Sequence, residues 1–460
     1  MNLNETITAI STPPGEGGIS VIRISGEDAF KVVEKIFFKD KNKDRKFSIS
    51  ETASHTIHFG YIFDNNILID EVLISIFKNP NSYTGEDVIE ISSHGGTFIA
   101  QKIIALLLNK GVRHAEAGEF TMRAFLNGRI DLSQAEAVAD LIKSKTDSAH
   151  SSSVNQLEGS LSDFVKKTRQ DIINTVSLVE LELDFAEEGL EFIKKEEIKQ
   201  RIEDLILKIN RIIESYISGR VIREGVNLVI AGKPNSGKSS LFNYLLKSNR
   251  AIVSSIEGTT RDYIQESLVI NGVLFNLIDT AGLRSSDDEI ENEGIKRSHK
   301  KIEEADLIIY LIDSSIKKNE IEEEAKNFKN NFPTTKSILV FSKADLSKKN
   351  DTIDNSNLKI SLLKEETVEA LKTGMSKKIL QNEIKPHTGE IILTNLRHKI
   401  CLENVVSSLQ KAVDTINDSM SGEYISVDLR NSLKHLGEIT GEVTNDEILN
   451  NIFRNFCIGK

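Results

Sequence analysis

The spacing of apolar residues changes along the chain and divides it into blocks. In the first block, residues 1–120, the segments ISVIRIS (19–25) and VLISIF (72–77) alternate apolar and polar positions as strands do. The segment AQKIIALLLNKG (100–111) has helical spacing and ends on a glycine. We therefore predict an α+β domain over residues 1–120.

From 121 to 221 the apolar residues recur at three- and four-residue spacing, which predicts a helical bundle. The clearest stripe comprises Ile202, Leu205, Ile206, Ile209, Ile212, Ile213 and Tyr216. We expect Gly159, Gly189 and Gly219 to separate helices in this block.

From 222 to 382 the short apolar runs VNLVIA, VLFNLID, DLIIYLID and SILVFS alternate with helical segments. Such alternation predicts a doubly wound α/β domain. Helical spacing returns over 383–460. The α/β domain is therefore predicted to be inserted between two parts of one helical domain, 121–221 and 383–460.

Composition restricts the class of protein. A chain of 460 residues is longer than a single hydrophobic core usually accommodates, so we expect several domains. Only two cysteines occur, no apolar run approaches the length of a membrane span, and no signal-peptide pattern is visible. We therefore predict a cytoplasmic protein without a membrane partner. The net charge of −11 restricts any RNA contact to a local patch or a partner protein.

The strand VNLVIA runs into GKPNSGKSS (232–240), the pattern of a phosphate-binding loop. Its glycines let backbone N–H groups turn toward phosphates, and the following helix directs its positive end there. Lys238 is predicted to reach the β- and γ-phosphates, and the Ser239 hydroxyl to ligate Mg²⁺.

Three further motifs follow in the order expected of a GTP-binding domain. GTTRD (258–262) offers a threonine that completes the Mg²⁺ shell, and DTAG (279–282) offers a carboxylate and an N–H for the γ-phosphate. SKAD (342–345) ends a strand with Asp345, which accepts two N–H groups of guanine. Together the motifs predict GTP as the ligand.

Two departures change the expected affinity. Ser342 stands where asparagine usually begins the base-reading motif, and Ser361-Leu362-Leu363 stands where a Ser-Ala-Lys loop is usual. The shorter serine and the missing lysine predict guanine specificity with weakened affinity.

Leu283 follows the DTAG motif where switch GTPases often carry a water-orienting glutamine. A monovalent cation held by Asn235 and by backbone oxygens before Gly258 would supply the electrostatic stabilisation of an arginine. Glu291 is a candidate to orient water. Its rivals in the same acidic stretch are Asp287, Asp288, Glu289 and Glu293, and a solvated loop is the alternative reading.

Motifs outside the nucleotide site carry a resemblance. They are TPPG (12–15) with Gly17-Gly18, RISG (23–26), SYTGEDVIE (82–90), HGG (94–96), GEFTMRAFLNGRIDLSQAEAVADLI (118–142) and FCIGK (456–460). With GKPNSGKSS, GTTRD and DTAGLR, they make the chain resemble the MnmE (TrmE) family of tRNA-modification GTPases over essentially its full length.

The resemblance implies an N-terminal folate-binding and dimerisation domain, a helical domain, and an inserted Ras-like GTPase domain whose hydrolysis is potassium-stimulated. It implies K⁺ ligands at Asn235, Ser254, Ile256 and Thr259, Mg²⁺ ligands at Ser239 and Thr260, and catalytic Glu291. The complete nucleotide-binding prediction comprises Asn235, Ser236, Gly237, Lys238, Ser239, Ser240, Ser254, Ser255, Ile256, Glu257, Gly258, Thr259, Thr260, Asp279, Thr280, Ala281, Gly282, Ser342, Lys343, Ala344, Asp345, Ser361, Leu362 and Leu363.

The resemblance also implies a homodimer that works with the flavoprotein MnmG (GidA) on tRNA. The pair would attach a (carboxymethyl)aminomethyl group to carbon 5 of the wobble uridine, with a methylene from a 5,10-methylene or 5-formyl tetrahydrofolate. Folate contacts are implied at Arg23, Glu90, Arg129 and Lys460. Cys457 is implied to be catalytic, and a buried structural thiol is the alternative.

A different class of function shares the GTP motifs: a regulatory switch GTPase of ribosome assembly. That function does not account for the motifs of the first block or for FCIGK, and it is usually accompanied by a basic RNA-binding module, which the sequence does not show.

Overall fold

The structure is a computed structural model that describes residues 5–44, 47–184, 194–249, 266–278, 305–332, 336–346, 358–383, 391–418, 420–444, 446–454 and 456–460. The chain divides into two compact units. Unit 1 comprises residues 1–139, 155–202 and 407–460, and unit 2 comprises residues 140–154 and 203–406.

Unit 1 contains a seven-stranded sheet in the order β3-β4-β5-β6-β2-β1-β7. Neighbouring strands are antiparallel, except that β1 and β7 run parallel. The strands are β1 Ile7–Ile10, β2 Ile19–Ser25, β3 Phe37–Phe38, β4 Thr56–Asp64, β5 Ile67–Phe77, β6 Val88–His94 and β7 Arg113–His114.

The two faces of this sheet differ. Inward-facing residues such as Ile22, Ile74 and Ile89 form a buried core with the helices α1 and α2 (Ala29–Glu34 and Thr97–Asn109). The positions between them point the opposite way, which is why β2 and β5 alternate in sequence. The strand predictions for 19–25 and 72–77 are confirmed.

Unit 2 contains a six-stranded sheet in the order β13-β12-β11-β8-β10-β9, parallel except for the pair β9 and β10. The strands are β8 Val226–Gly232, β9 Glu266–Ile270, β10 Val273–Ile278, β11 Leu307–Asp313, β12 Ser337–Ser342 and β13 Leu358–Lys359. The four predicted runs are thus strands. The antiparallel edge strand β9 was not predicted, and the turn at Asn271-Gly272 joins it to β10.

Helices fill much of the remaining described chain. They are α3 Glu119–Leu126, α4 Leu132–Lys143, α5 Asp147–Leu157, α6 Ser160–Asp184, α7 Lys195–Glu214, α8 Tyr216–Glu224, α9 Lys238–Asn249, α10 Lys318–Asn331, α11 Glu365–Glu383, α12 Leu396–Asn417, α13 Gly422–Thr440 and α14 Asp446–Phe453.

Two of the predicted helix-separating glycines lie in the described chain, and they behave differently. Gly159, with φ +100°, separates α5 from α6 as predicted. The prediction for Gly219 is wrong, because this residue lies inside α8. A Cβ there would lie 2.1 Å from the Leu393 carbonyl oxygen, so the glycine permits close backbone packing. Gly189 lies outside the described residues.

Candidate functional site

The phosphate loop lies between β8 and α9, in the strand–loop–helix context that its motif requires. Gly232 and Gly237 have φ of +140° and +96°, and Asn235 has φ +62°. A Cβ at Gly232 would lie 2.4 Å from the Leu311 carbonyl oxygen. The Lys238 ammonium donates to the carbonyl oxygens of Gly232 (2.8 Å) and Lys233 (2.7 Å), so the loop curls around its lysine.

The predicted Mg²⁺ ligand Ser239 and its neighbour Ser240 lie at the start of α9, where Ser239 is exposed. Asn235 is exposed as well, whereas Ser236 is buried. The Ser236 hydroxyl has no hydrogen-bond partner in the described chain. The loop therefore contains an unsatisfied buried polar atom beside the exposed groups that are predicted to face the nucleotide.

Ser342 hydrogen-bonds directly to the phosphate loop. Its hydroxyl lies 2.6 Å from the Ser236 carbonyl oxygen and 3.2 Å from the Ile312 carbonyl oxygen. The buried serine therefore connects the base-reading motif to the phosphate loop.

The rest of the predicted base-reading motif, residues 343–345, contacts the ends of β11 and β13. The Lys343 ammonium lies 2.6 Å from an Asp313 carboxylate oxygen, and the Ala344 N–H donates to the Ile360 carbonyl. The Ser361 hydroxyl donates to the Asp345 carboxylate at 2.6 Å, and this hydrogen bond lowers the pKa of Asp345. One oxygen of the Asp345 carboxylate therefore already accepts a hydrogen bond from Ser361.

The Ser361-Leu362-Leu363 segment closes back on itself. The Ser361 N–H donates to the Thr367 hydroxyl at 2.9 Å, and the Leu363 N–H donates to the Ser361 hydroxyl at 3.3 Å. Leu363 is 84% exposed, so its side chain contributes little to packing.

Several predicted residues lie outside the described chain. They are Ser254, Ser255, Ile256, Glu257, Gly258, Thr259, Thr260, Asp279, Thr280, Ala281, Gly282 and Glu291. The rival acids Asp287, Asp288, Glu289 and Glu293 and the neighbouring Leu283 also lie there.

In unit 1, residues 456–460, called the tail below, dock on the sheet and on the start of α3. Ile458 forms an antiparallel bridge with Ala117. The Gly459 carbonyl accepts from the Ser11 hydroxyl at 3.1 Å. Gly459 has φ +96°, and a Cβ there would lie 2.3 Å from the Ile10 carbonyl oxygen, so this backbone approach requires glycine.

The tail meets the predicted folate residues Arg23 and Glu90, which are directly paired across β2 and β6. The Arg23 guanidinium contacts the Glu90 carboxylate at 2.9 and 2.8 Å and donates to the Gly459 carbonyl at 3.4 Å. Burial lowers the pKa of Lys460, and the positive charge of Arg23 lowers it further. Cys457 is exposed, which contradicts the buried-thiol alternative.

Arg129 lies in the same region, but it has a different partner. Its guanidinium donates to the Tyr83 carbonyl at 2.6 Å and lies 5.5 Å from the centre of the Tyr83 ring. Sequence reasoning did not single out Tyr83. The available signal was an aromatic residue within SYTGEDVIE, the motif that also contains Glu90.

A buried ion-pair network, also missed from sequence, supports α3. Arg123 is 1% exposed and contacts Glu119 at 3.0 Å and Glu86 at 3.1 Å. Burial alone would raise the pKa of Glu119, but hydrogen bonds from Arg113, Glu116 N–H and Arg123 lower it overall. The network fixes the helix that precedes Arg129.

Comparison with known families identifies the chain. The model described as MnmE helical domain matches residues 132–457, and the model described as GTP-binding protein TrmE N-terminus matches residues 6–129. The chain belongs to the MnmE family of tRNA modification GTPases.

MnmE relatives align over nearly the whole chain. Proteins named tRNA modification GTPase MnmE are similar to it from Clostridioides difficile strain 630 (44% identity over 467 residues, 100% of both chains) and from Flavobacterium johnsoniae (43% over 468 residues, 99% of both). Among solved structures, the G domain of the T. maritima FeoB iron transporter is 26% identical, covering 33% of this chain and 98% of that one, with a TM-score of 0.25.

The MnmE assignment confirms the family predicted from the sequence and, with it, the prediction of a GTPase enzyme. No helix within the described residues combines the length and apolar character needed to cross a bilayer.

Proposed function

We propose that this chain is a potassium-stimulated GTP hydrolase that modifies carbon 5 of the wobble uridine in tRNA. It acts as a cytoplasmic homodimer with the flavoprotein MnmG (GidA), and it adds a (carboxymethyl)aminomethyl group by using a one-carbon tetrahydrofolate. The observation that carries the proposal is the docking of the tail beside the Arg23–Glu90 pair in a chain that also has a phosphate loop.

The phosphate loop offers a cation for the phosphates of GTP and a hydroxyl oxygen for Mg²⁺. Two loop carbonyls accept hydrogen bonds from the Lys238 ammonium. In a GTP complex, oxygens of the β- and γ-phosphates would replace these weaker acceptors. The Ser239 hydroxyl would hold Mg²⁺ together with Thr260. Asp345, oriented by the hydrogen bond from Ser361, would select guanine because a carboxylate only accepts hydrogen bonds.

Potassium binding rests on Asn235. Its side chain is exposed at the strained turn of the loop, with φ +62°, and its amide oxygen is a suitable ligand for a monovalent cation. We propose Ser254, Ile256 and Thr259 as the remaining K⁺ ligands and Glu291 as the acid that orients water.

The site beside the tail suits a folate by charge. Arg23, Arg129 and Lys460 bring three cationic side chains to a region in which Glu90 is the predicted acid, so a ligand with carboxylates would balance the charge. Glu90 is also suited to the amino edge of a pterin. The exposed Cys457 thiol would lie beside the same ligand as a catalytic group.

The proposal of a homodimer is supported by the open face of the unit 1 sheet. Phe59 and Leu73 are paired across β4 and β5, Ile57 lies two residues from Phe59, and these side chains are 43–66% exposed. Exposed apolar clusters of this kind favour association with a second protein surface.

Analysis of tRNA nucleosides from a strain lacking the gene tests the function. We expect the modified wobble uridine to disappear and to return when the intact gene is supplied. Unchanged wobble uridines would contradict the proposal and favour the ribosome-assembly switch. That alternative instead predicts a defect in ribosomal subunits with normal tRNA.

A further inference from the structure

Two of the proposed folate-binding cations share one aromatic ring. The Arg23 guanidinium carbon lies 4.9 Å from the centre of the Tyr83 ring, and that of Arg129 lies 5.5 Å from it. Both distances are within the range of cation–π attraction, about 6 Å. Tyr83 is therefore the side chain that connects Arg23 on β2 with Arg129 after α3.

The Tyr83 ring is fixed from two sides. Its hydroxyl is hydrogen-bonded to the buried Thr121 hydroxyl at 2.8 Å, and the ring packs against the small core that includes Phe120. A ring with a hydrogen-bonded tip and a packed body has little freedom to reorient.

The backbone on both sides of Tyr83 is held as firmly. The Ser82 hydroxyl donates to the Glu86 carbonyl at 2.5 Å, and the Thr84 carbonyl accepts from the Asn127 amide at 2.7 Å. The ring therefore has a defined position relative to the cations.

Arg23 and Arg129 differ in their contacts other than those with the Tyr83 ring. Arg23 is paired with Glu90, so its charge is compensated and its position is fixed without Tyr83. The Arg129 guanidinium makes no ion pair with a carboxylate of the described chain. Its two contacts are both with Tyr83, one with the backbone carbonyl and one with the ring. Tyr83 is thus more important for Arg129 than for Arg23, and the uncompensated charge of Arg129 is suited to an anionic group of a ligand.

We propose that Tyr83 is a positioning residue for the folate, and that its ring holds the Arg129 guanidinium where it binds the carboxylate end of the ligand. This inference rests on the proposed function of the site. It predicts a specificity role, because loss of the ring would weaken binding of folates with a glutamate tail more than binding of a pterin without one.

The test compares three variants of the full-length protein by calorimetric titration with 5-formyltetrahydrofolate. Tyr83→Leu removes the ring and should weaken binding about two- to fivefold, the range for a cation–π contact with the exposed Arg129. Tyr83→Phe keeps the ring and should bind within about 1.5-fold of the parent protein. Phe98→Leu removes another ring of the same unit that lies 4.8 Å from a cation, Lys102, and should bind normally.

The same titrations with a tetrahydropterin that lacks the glutamate tail identify which end of the ligand is affected. The deficit of Tyr83→Leu should largely disappear with this ligand. A deficit of the same size with both ligands would overturn the positioning of Arg129, because a general disturbance of the site would affect both ends.

A graded series removes the possibility that Tyr83→Leu simply misfolds. Phenylalanines with increasing numbers of ring fluorines at position 83 keep the shape of the ring and progressively weaken its attraction for cations. Affinity for 5-formyltetrahydrofolate should fall stepwise with fluorination, with unchanged thermal unfolding midpoints and GTP hydrolysis. A flat series would overturn the inference.

The outcomes separate this inference from the proposed function. If the parent protein binds no folate, the folate function fails. If the parent binds and Arg129→Ala weakens binding while Tyr83→Leu does not, only the inference about Tyr83 fails.

Discussion

The phosphate loop and the tail site both depend on glycine, but they are assembled over very different distances along the chain. In the loop, Gly232 and Lys238 are joined by a hydrogen bond across six residues. In the tail site, Gly459 is bonded to Ser11 and Arg23, which lie 448 and 436 residues away. The lysine contact of the loop therefore forms within one local turn, whereas the tail contacts require the docking of remote segments.

The two sites are therefore expected to lose function in different ways. A local loop loses function when one of its own donors is removed, while its surroundings remain folded. A docked segment loses function when a residue at a close backbone contact is replaced by a larger one. This holds for a glycine, although it contributes no side chain to the site.

Lys238→Ala should reduce GTP turnover by about a hundredfold or more, because it removes the cation predicted to contact the β- and γ-phosphates. Steady-state phosphate release measures the effect. Lys247→Ala, a lysine in the last turn of the same helix α9, is the matched control and should hydrolyse GTP normally. Normal turnover in Lys238→Ala would show that the loop has been misinterpreted.

Gly459→Ala should abolish most tRNA modification and leave GTP hydrolysis intact, as should deletion of residues 457–460. The added methyl group would clash with the Ile10 carbonyl, in addition to backbone strain of about 1–2 kcal/mol. Gly111→Ala is the control, since φ is +91° there and no atom lies within 4 Å of the place that its Cβ would occupy. Equal modification by the two variants would contradict the docking.

Replacing K⁺ by Na⁺ should slow GTP hydrolysis at least about tenfold, because the larger cation is proposed to offset charge between the phosphates. Asn235→Gly removes the proposed ligand without backbone strain and should make the rate equal in both salts. Asn271→Gly, at another positive φ of +50°, should retain the K⁺ preference. Equal rates for the parent protein in both salts would contradict the cation proposal.

Ser342→Ala should weaken GDP binding by about three- to tenfold and lower the free energy of unfolding by about 1 kcal/mol, since it leaves the Ser236 carbonyl without this hydrogen bond. Ser314→Ala is a close control. Ser314 is buried and directly follows β11, the strand beside β12. Its hydroxyl has no partner among the described residues, so its removal should change the free energy of unfolding little. Similar losses of GDP affinity in Ser342→Ala and Ser314→Ala would contradict a specific role for the hydrogen bond between Ser342 and Ser236.

The smallest effect concerns His94, whose imidazole lies 2.7 Å from the Asp70 carboxylate. This hydrogen bond raises the pKa of His94 above its ordinary value of 6.5. The stabilisation is therefore present below pH 6.5 and is lost as pH rises through the raised pKa. NMR titration should show the raised pKa and its return toward 6.5 in Asp70→Asn. An unchanged His94 pKa in Asp70→Asn would show that Asp70 is not what raises it.

The contrast between local and remote assembly also explains what sequence reasoning predicts. The strand β8, the loop and α9 follow from a contiguous pattern of apolar residues and glycines. The pairing of Arg23 with Glu90 and the docking of Gly459 do not, because no periodicity relates residues so far apart. Their proximity was expected only from the family resemblance.

Other features were missed for physical reasons that the structure makes clear. Gly219 has the sequence signal of a helix break, yet it serves close packing against the Leu393 backbone. Ser342 is shorter than the asparagine usual at this position, and its hydrogen bond to the Ser236 carbonyl was not predicted from the sequence. In both cases the deciding partner comes from another segment, and composition at the position itself carries no information about it.

The bridge between Ile458 and Ala117 has a consequence for the order of folding. The ribosome completes the sheet that carries Arg23 and Glu90 more than 300 residues before it synthesises the tail. Contacts of such high sequence separation close late, after the entropy of the intervening chain has been overcome. A nascent molecule would thus have a finished sheet and an unfinished site.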